Sequence, residues 1–309
     1  SQVRSGRAGR RGDFLTSPEV GPLFGAVVAR ALDSWWHEMG KPDPFVVVDA
    51  GAGPGTLARS IIAAQPLCSA ALRYVAVEVS AVQRAQHPAG VESRVDLPDG
   101  AFTGIVIANE LLDNLPFRLM VFDGGWMESW IAATPSGFTE DLRKFSELPT
   151  HLPETAPHGA RVPIQDIARR WVEKSVASIG RGRLLVIDYA QPTTSSVIAQ
   201  GWREWLRTYV QHGRGSHYLK NVGLQDITCD VMLDQVFEGV DVNFVSQRLF
   251  LERHGIAVAV EEGRSYWEVH ASQPDLRAMT MRSRVSEAEA LTDPSGFGAF
   301  TVAEVIVGS

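Results

Sequence analysis

Chemistry in this 309-residue chain concentrates in three stretches. The first is Asp49-Ala50-Gly51-Ala52-Gly53-Pro54-Gly55-Thr56. Glycines this dense let the backbone turn tightly and come close to a ligand, and a helix starting after them presents free N–H groups to an anionic portion of it. A dinucleotide fingerprint runs Gly-x-Gly-x-x-Gly, and Thr56 stands where its final glycine belongs. The loop thus favours a cofactor without a pyrophosphate. S-adenosyl-L-methionine fits that description, because its anionic part is a single carboxylate and its cationic sulfonium tolerates an acid such as Asp49 nearby.

The second stretch ends in Glu78, which closes an apolar run about twenty residues past the loop, where a carboxylate can accept both ribose hydroxyls. A solvated acid at a strand end is the bland alternative. Asp96-Leu97-Pro98, after the next short strand, is a weaker candidate for an adenine contact, with turn chemistry as its competitor. The third stretch, Asn109-Glu110-Leu111-Leu112-Asp113-Asn114, follows another apolar run at the strand end where open α/β sheets put ligands. Acids spaced by three on a first helical turn can face one pocket, so Glu110 and Asp113 are candidates to hold a cationic acceptor such as a guanidinium. Plain helix capping competes with that role. His212, beside Arg207 and Tyr209, is a candidate for closing over the acceptor, against a role in loop packing. His151, His158, His217, His254 and His270 are scattered without metal-ligand spacing. The two cysteines, Cys68 and Cys229, stand far apart, so neither a metal centre nor a disulfide framework is expected.

Strands and helices alternate around these stretches. Phe45-Val46-Val47-Val48 is the continuous apolar run of a strand buried on both faces, and Arg73–Glu78, Gly104–Asn109 and Arg183–Tyr189 are further strands. With helical segments between them, they predict a mostly parallel sheet. Thr16-Ser17-Pro18-Glu19 supplies a capping hydroxyl, a proline at the first helical position and a first-turn acid. One helix is predicted from here through Val20, Leu23, Phe24, Val27, Val28, Ala31, Leu32, Trp35 and Trp36, until Gly40, Pro42 and Pro44 stop it. Leu119–Asp123 and Trp126–Ile131 around Gly124-Gly125 predict a hairpin. The pattern weakens from 135 to 158, regains helical spacing over 164–179, and loses it again from 191 to 230 in an excursion of the kind that forms a lid. Trp202 and Trp205 are the expected anchors of that excursion. A helix is expected near 245–254 and a closing strand over 300–307.

Composition narrows the function classes. Hydrophobic residues make up 45% of the chain and charged ones 21%, a globular balance. A formal charge of -7 disfavours a nucleic-acid surface, and the one dense basic run, Arg4, Arg7, Arg10 and Arg11, reads as a mobile arm. No apolar run reaches membrane-spanning length and no secretory-type opening is read, so a soluble, cytoplasmic setting is expected.

Several motifs together resemble one family. Gly12-Asp13-Phe14-Leu15-Thr16-Ser17-Pro18-Glu19 followed by Leu23-Phe24-Gly25 is similar to the opening motif of the MidA-like methyltransferases, a group that includes a mitochondrial protein arginine methyltransferase needed for complex I assembly. Asp49–Leu57 resembles that family's Glu-Leu-Gly-Pro-Gly-x-Gly-Thr-Leu loop, with Asp49-Ala50-Gly51-Ala52 in place of Glu-Leu-Gly-Pro. Val77-Glu78-Val79-Ser80 resembles its ribose-binding strand end, and Asn109–Pro116 its Glu-Phe-Phe-Asp-x-Leu-Pro segment. Leu206-Arg207-Thr208-Tyr209 and Gln225-Asp226-Ile227-Thr228 with Asp230 resemble its later motifs, while the stretch from Val210 to Asp226 follows the family only loosely.

The resemblance implies an α/β fold: a Rossmann-like class I methyltransferase sheet with helices on both faces and an inserted accessory substrate-binding region. The expected organisation is an arm (1–18), a cofactor-binding core (19–134), an insertion and helix (135–182), a core strand (183–190), an accessory lid region (191–240) and a C-terminal completion of the core (241–309). S-adenosyl-L-methionine is the implied cofactor, with Asp13, Phe14, Thr16, Ser17, Asp49, Gly51, Gly53, Gly55, Thr56, Glu78, Asp96, Leu97 and Asn109 around it. Glu110, Asp113 and His212 are placed at the acceptor, a nitrogen attacked in line by the methyl group, arginine by resemblance. The implied partner is a protein substrate, with neither nucleic acid nor membrane, and a homodimer is left open. A nicotinamide-dependent oxidoreductase on the same sheet and a non-catalytic assembly factor that retains the pocket are the alternatives.

Overall fold

The structure, a computed structural model, describes residues 16–145, 149–210 and 213–308. The apolar run at Phe45 forms β1 (Phe45–Ala50), buried along its whole length. It pairs in parallel with β2 (Leu72–Val77) on one side and β4 (Phe102–Asn109) on the other. Outside β2 lies β3 (Glu92–Arg94), and outside β4 lies β9 (Ile179–Asp188), both parallel. β16 (Thr301–Val307) and β15 (Asn243–Ser246) close the far edge in antiparallel register, giving the order β15-β16-β9-β4-β1-β2-β3. The chain runs outward from β1 to β3 and then crosses back to β4, so the strand order reverses between β1 and β4. Ligands of open α/β sheets bind at such a reversal, beyond the carboxyl ends of the strands.

The two-residue period of the strands divides the core between two faces. Phe45, Val47, Ile105, Ile107, Leu185 and Ile187 pack on one side, and Val46, Val48, Val75, Val106, Leu184 and Val186 on the other. The first face is covered by α2 (Pro22–Glu38), α3 (Thr56–Ala63), α7 (Gln247–Arg253), α8 (Ile256–His270) and α9 (Leu276–Thr292). The second is covered by α5 (Asp166–Ala177) and the short α6 (Leu233–Val236). The strand pattern predicted the parallel-dominated sheet, and the family resemblance implied the helices on both of its faces. Phe24 of α2 is fully buried, and truncating such a side chain to alanine costs about 3–5 kcal/mol.

The N-terminal helix differs from its prediction. It is broken at Gly21 into α1 (Ser17–Val20) and α2, because Pro22 has no N–H to continue the ladder. The buried carboxylate of Glu287 on α9 accepts the Leu23 N–H at 2.8 Å, and a Cβ at Gly21 would lie 2.1 Å from its carboxyl carbon. The break frees α1 to lean over the strand ends.

The predicted hairpin forms as β5 (Arg118–Phe122) and β6 (Trp126–Thr134), but it leaves the main sheet. With β7 (Gly137–Arg143) and β8 (Arg161–Ile164) it makes a separate antiparallel sheet in the order β7-β6-β5-β8. The antiparallel layer therefore begins at Arg118, inside the span expected to belong to the cofactor-binding core. Strand β7 is half-buried or exposed throughout, so no apolar alternation announces it in the segment where the pattern weakens. The excursion from 191 also has structure of its own. β11 (Leu206–Val210), β12 (Gly213–Arg214) and β13 (Asp226–Cys229) form a small sheet, while β10 (Ala190–Gln191) pairs with β14 (Val231–Met232). Trp205 is fully buried and joins Met120, Val162 and Met232 in a third apolar cluster, against which Trp202 packs. The helix expected from 245 starts later, since Val245 and Ser246 finish β15.

Candidate cofactor and acceptor site

Beyond the carboxyl ends of β1, β2 and β4 opens a cleft of about 270 Å³. Of the residues predicted to touch a cofactor, Thr16, Asp49, Gly51, Gly53, Thr56, Glu78 and Asn109 line it. Gly51 sits at φ +72°, and a Cβ there would come within 3.0 Å of the Leu111 side chain, so any larger residue would strain the turn and crowd the cleft. The Gly53 N–H donates to Glu78 Oε2 at 3.1 Å and the Ser80 N–H to Oε1 at 2.7 Å, which clamps the carboxylate between two loops. Each oxygen keeps a lone pair able to accept a hydroxyl.

Neither His87 nor Gln83 belongs to a motif that stands out in the sequence. The His87 ring bridges the Gly53 carbonyl and Ser93 Oγ, both at 2.9 Å, and braces the loop against β3. Gln83 lines the cleft from α4 (Ala81–Arg84), whose N-cap is Ser80. The capping serine three residues ahead of Gln83 was the available signal. Gly55, predicted at the cofactor, does not line the cleft. It starts α3 in a left-handed conformation with Pro88 against it, so its part is to make the turn. Asp96 and Leu97 are also elsewhere. Asp96 is solvated 3.9 Å from Lys174, beyond the edge strand β3, and Leu97 is buried in a core cluster.

The deep side of the cleft is acidic. Asp49 is buried and accepts a hydrogen bond from the Tyr74 hydroxyl at 3.0 Å. Burial pushes its carboxyl up to about 7, against the Tyr74 hydrogen bond and with added repulsion from Glu78. Glu110 lines the cleft with φ +51°, an uncommon backbone state for a non-glycine residue. Its Oε1 accepts the Ser17 N–H at 2.9 Å and the Asn109 amide at 3.1 Å, so Ser17, at the start of α1, reaches the site through its backbone. Glu110 Oε2 and Asn109 Oδ1 are buried without a partner among the described residues. Burial lifts the Glu110 carboxyl to about 8, with the Ser17 hydrogen bond opposing and the charge of Asp113 adding to the shift.

Asp113 does not face the cleft beside Glu110. Leu112–Asn114 is a 3-10 turn entered from the left-handed Glu110, so the spacing that aligns residues on an α-helix does not align these two. Asp113 is buried behind the wall, accepts from the Asn114 amide at 2.7 Å, and donates its own N–H to Asp188 Oδ2 at 3.3 Å. Asp188 also accepts the N–H groups of Leu112 and Tyr189, both at 2.9 Å. Nearby, Arg207 pairs with Asp230 and lies over the Tyr189 ring, 5.0 Å from its centre. Burial first, then the charge of Asp230, pushes Asp113 up to about 7, with Arg207 opposing; Asp188 moves the same way. Asn114 and Asp226 of β13 complete the cleft wall. Asp13, Phe14, His212 and the basic arm lie outside the described residues.

A held carboxylate at the end of β2, an open glycine turn and buried acceptors on the deep side together fit a ligand that carries a sugar and a positive charge. A family model described as an S-adenosyl-L-methionine-dependent methyltransferase matches residues 27–243. The chain is similar to Protein arginine methyltransferase NDUFAF7, mitochondrial, of Mus musculus, with 24% identity over 84% of this chain and 68% of that protein. It is similar to the NDUFAF7 homolog of Drosophila melanogaster at 32% identity, over 41% of this chain and 36% of the homolog. Thus this chain spans from about a third to about two thirds of the length of these curated relatives. Among solved structures it is similar to a COG1565 superfamily member from Burkholderia thailandensis bound to S-adenosylhomocysteine. The TM-score is 0.80 and the identity 26%, covering 99% of this chain and 82% of that one. The fold is accordingly that of a class I methyltransferase and the cofactor is S-adenosylmethionine, which sets the nicotinamide alternative aside. The chain belongs to the MidA-like family of S-adenosyl-L-methionine-dependent methyltransferases.

Proposed function

We propose that this methyltransferase modifies a side-chain nitrogen of a protein, and that the nitrogen belongs to arginine. The observation that carries the reading is the pair of buried acceptors in the cleft wall, Glu110 Oε2 and Asn109 Oδ1, that have no partner among the described residues. Buried polar atoms are normally paired, and leaving one unpaired costs about 1–3 kcal/mol. A guanidinium brings five N–H donors and no acceptor, so it satisfies both atoms at once. The similarity to protein arginine methyltransferases supports the same acceptor.

Bound S-adenosylmethionine supplies an electrophilic methyl group. In this reading Glu78 holds the sugar hydroxyls, and Gly51 leaves room for the methionine part. The Ser17 N–H and the Asn109 amide fix Glu110 Oε1, so that Oε2 orients the acceptor nitrogen for in-line attack. A carboxylate whose proton affinity is raised to about 8 is also suited to take the proton that the methylated nitrogen releases. Asp113 acts from behind, through Asn114, as a positioning residue. The accessory segment 191–240 forms the acceptor side of the cleft through Asp226.

The test is incubation of a protein extract with labelled S-adenosylmethionine, with and without this chain, followed by mass spectrometry of the modified side chain. Methylated arginine is the expected product. Label on other side chains alone would refute arginine as acceptor, and tight cofactor binding without transfer to any fraction would point to the assembly-factor alternative.

A further inference from the structure

A second concavity, of about 600 Å³, adjoins the cofactor cleft, and Asn114 lines both. Its walls come from three places: Leu115 and Phe117 ahead of β5, Ile131 on β6, and Leu206 and Ile227 on the small sheet of β11 and β13. Ile131 is 53% exposed and Ile227 40%. Isolated exposed isoleucines need no explanation, but apolar side chains from three segments converging on one concavity mark a binding surface. Of the charges that line it, Arg118 pairs with Asp166 at 2.8 Å and lies 3.9 Å from Glu128, so its cation is offset and the groove favours apolar contact. Neighbouring strand residues point to opposite faces, and on β13 Asp226 lines the cofactor cleft while Ile227 lines the groove.

We propose that this groove binds the acceptor polypeptide itself, through apolar side chains adjacent to the methylated residue, which then reaches past Asn114 into the cleft. The continuity of the two cavities at Asn114 and across β13 selects that occupant: a chain lying in the groove has its next side chain at the entrance to Asp226 and Glu110. The inference rests on the reading that the acceptor is a protein.

Two synthetic peptides test it by fluorescence anisotropy in saturating S-adenosylhomocysteine, one with a central arginine flanked by leucine and phenylalanine, the other flanked by glycine and serine. Burial of one or two flanking side chains predicts that the apolar peptide binds about tenfold tighter or better. Ile131→Lys removes that advantage, Ile131→Leu keeps it, and both variants bind S-adenosylhomocysteine as the unaltered chain does. Equal affinity for the two peptides, no binding of either, or an advantage that survives Ile131→Lys overturns the proposal. So does a concentration-dependent dimer in sedimentation that Ile131→Lys abolishes, since a second copy would then fill the groove. A third peptide, apolar-flanked with alanine for arginine, separates the two readings: undiminished binding removes arginine as the acceptor and leaves the groove assignment standing.

Discussion

The proposed cofactor side of the cleft draws mainly on one run of chain, Asp49 to Gln83, whereas the proposed acceptor side gathers Glu110, Asn114 and Asp226 from separate segments, backed by Ser17, Asp113, Asp188 and Arg207. The first half is satisfied as it stands, with both oxygens of Glu78 held by backbone N–H groups. The second keeps Glu110 Oε2 and Asn109 Oδ1 without a partner among the described residues, and burial pushes Glu110, Asp113 and Asp188 in the same upward direction. On the proposed reading, one half is a preformed cradle for the sugar and the other a buried acidic wall whose electrostatics a cation completes.

If the halves are separable, Glu110→Gln gives the largest effect. It keeps shape and the Ser17 contact but removes the charge, so methyl transfer is expected to fall about 10²–10³-fold, the scale for losing one electrostatic partner of the reacting group. S-adenosylhomocysteine affinity should stay within about threefold. Single-turnover transfer and calorimetry on the same preparation check both, and a parallel loss of cofactor affinity would merge the two halves.

The pH dependence comes next. Free protein holds a proton on Asp49, in the cofactor half, up to about 7. A positively charged cofactor favours its ionised form, so binding expels that proton. Affinity for S-adenosylmethionine is therefore expected to weaken as pH is lowered through 7, by up to about tenfold per unit. Titrations in buffers of different ionisation enthalpy report the released protons, and uptake of protons would reverse the assignment.

Asp113→Asn probes the acidic wall with a smaller effect. Between its ordinary 3.8 and about 7, Asp113 keeps in the folded state a proton that the unfolded chain has lost, so stability declines as pH rises through that window. The asparagine does not titrate. Its unfolding free energy, measured by denaturant titration, should fall less between pH 5 and 8, by a difference of order 1 kcal/mol, while cofactor affinity is unchanged. An identical slope in both proteins would place the strain elsewhere.

The same contrast explains what could be read from sequence. The glycine loop, Glu78 and the alternating strands are local patterns, in which a few neighbouring residues determine the geometry. The acceptor wall depends on pairs far apart in the chain: Ser17 and Glu110 are 93 residues apart, Leu112 and Asp188 are 76. Asp113 was misplaced because an α-helical turn was assumed where the backbone passes through a left-handed residue into a 3-10 turn. Asp96 was misplaced because a turn next to an edge strand carries the same residue types whether it meets solvent or a ligand. The split helix at Gly21 was hidden because its cause, Glu287, lies on a helix at the other end of the chain.

The most direct test of the account is calorimetric binding of S-adenosylhomocysteine to Glu78→Ala. Loss of a charged acceptor for two ribose hydroxyls, at about 1.5–3 kcal/mol per hydrogen bond, predicts affinity at least about a hundredfold weaker in a protein that folds and melts normally. Affinity equal to that of the unaltered chain would show that the carboxylate closing β2 does not hold the sugar.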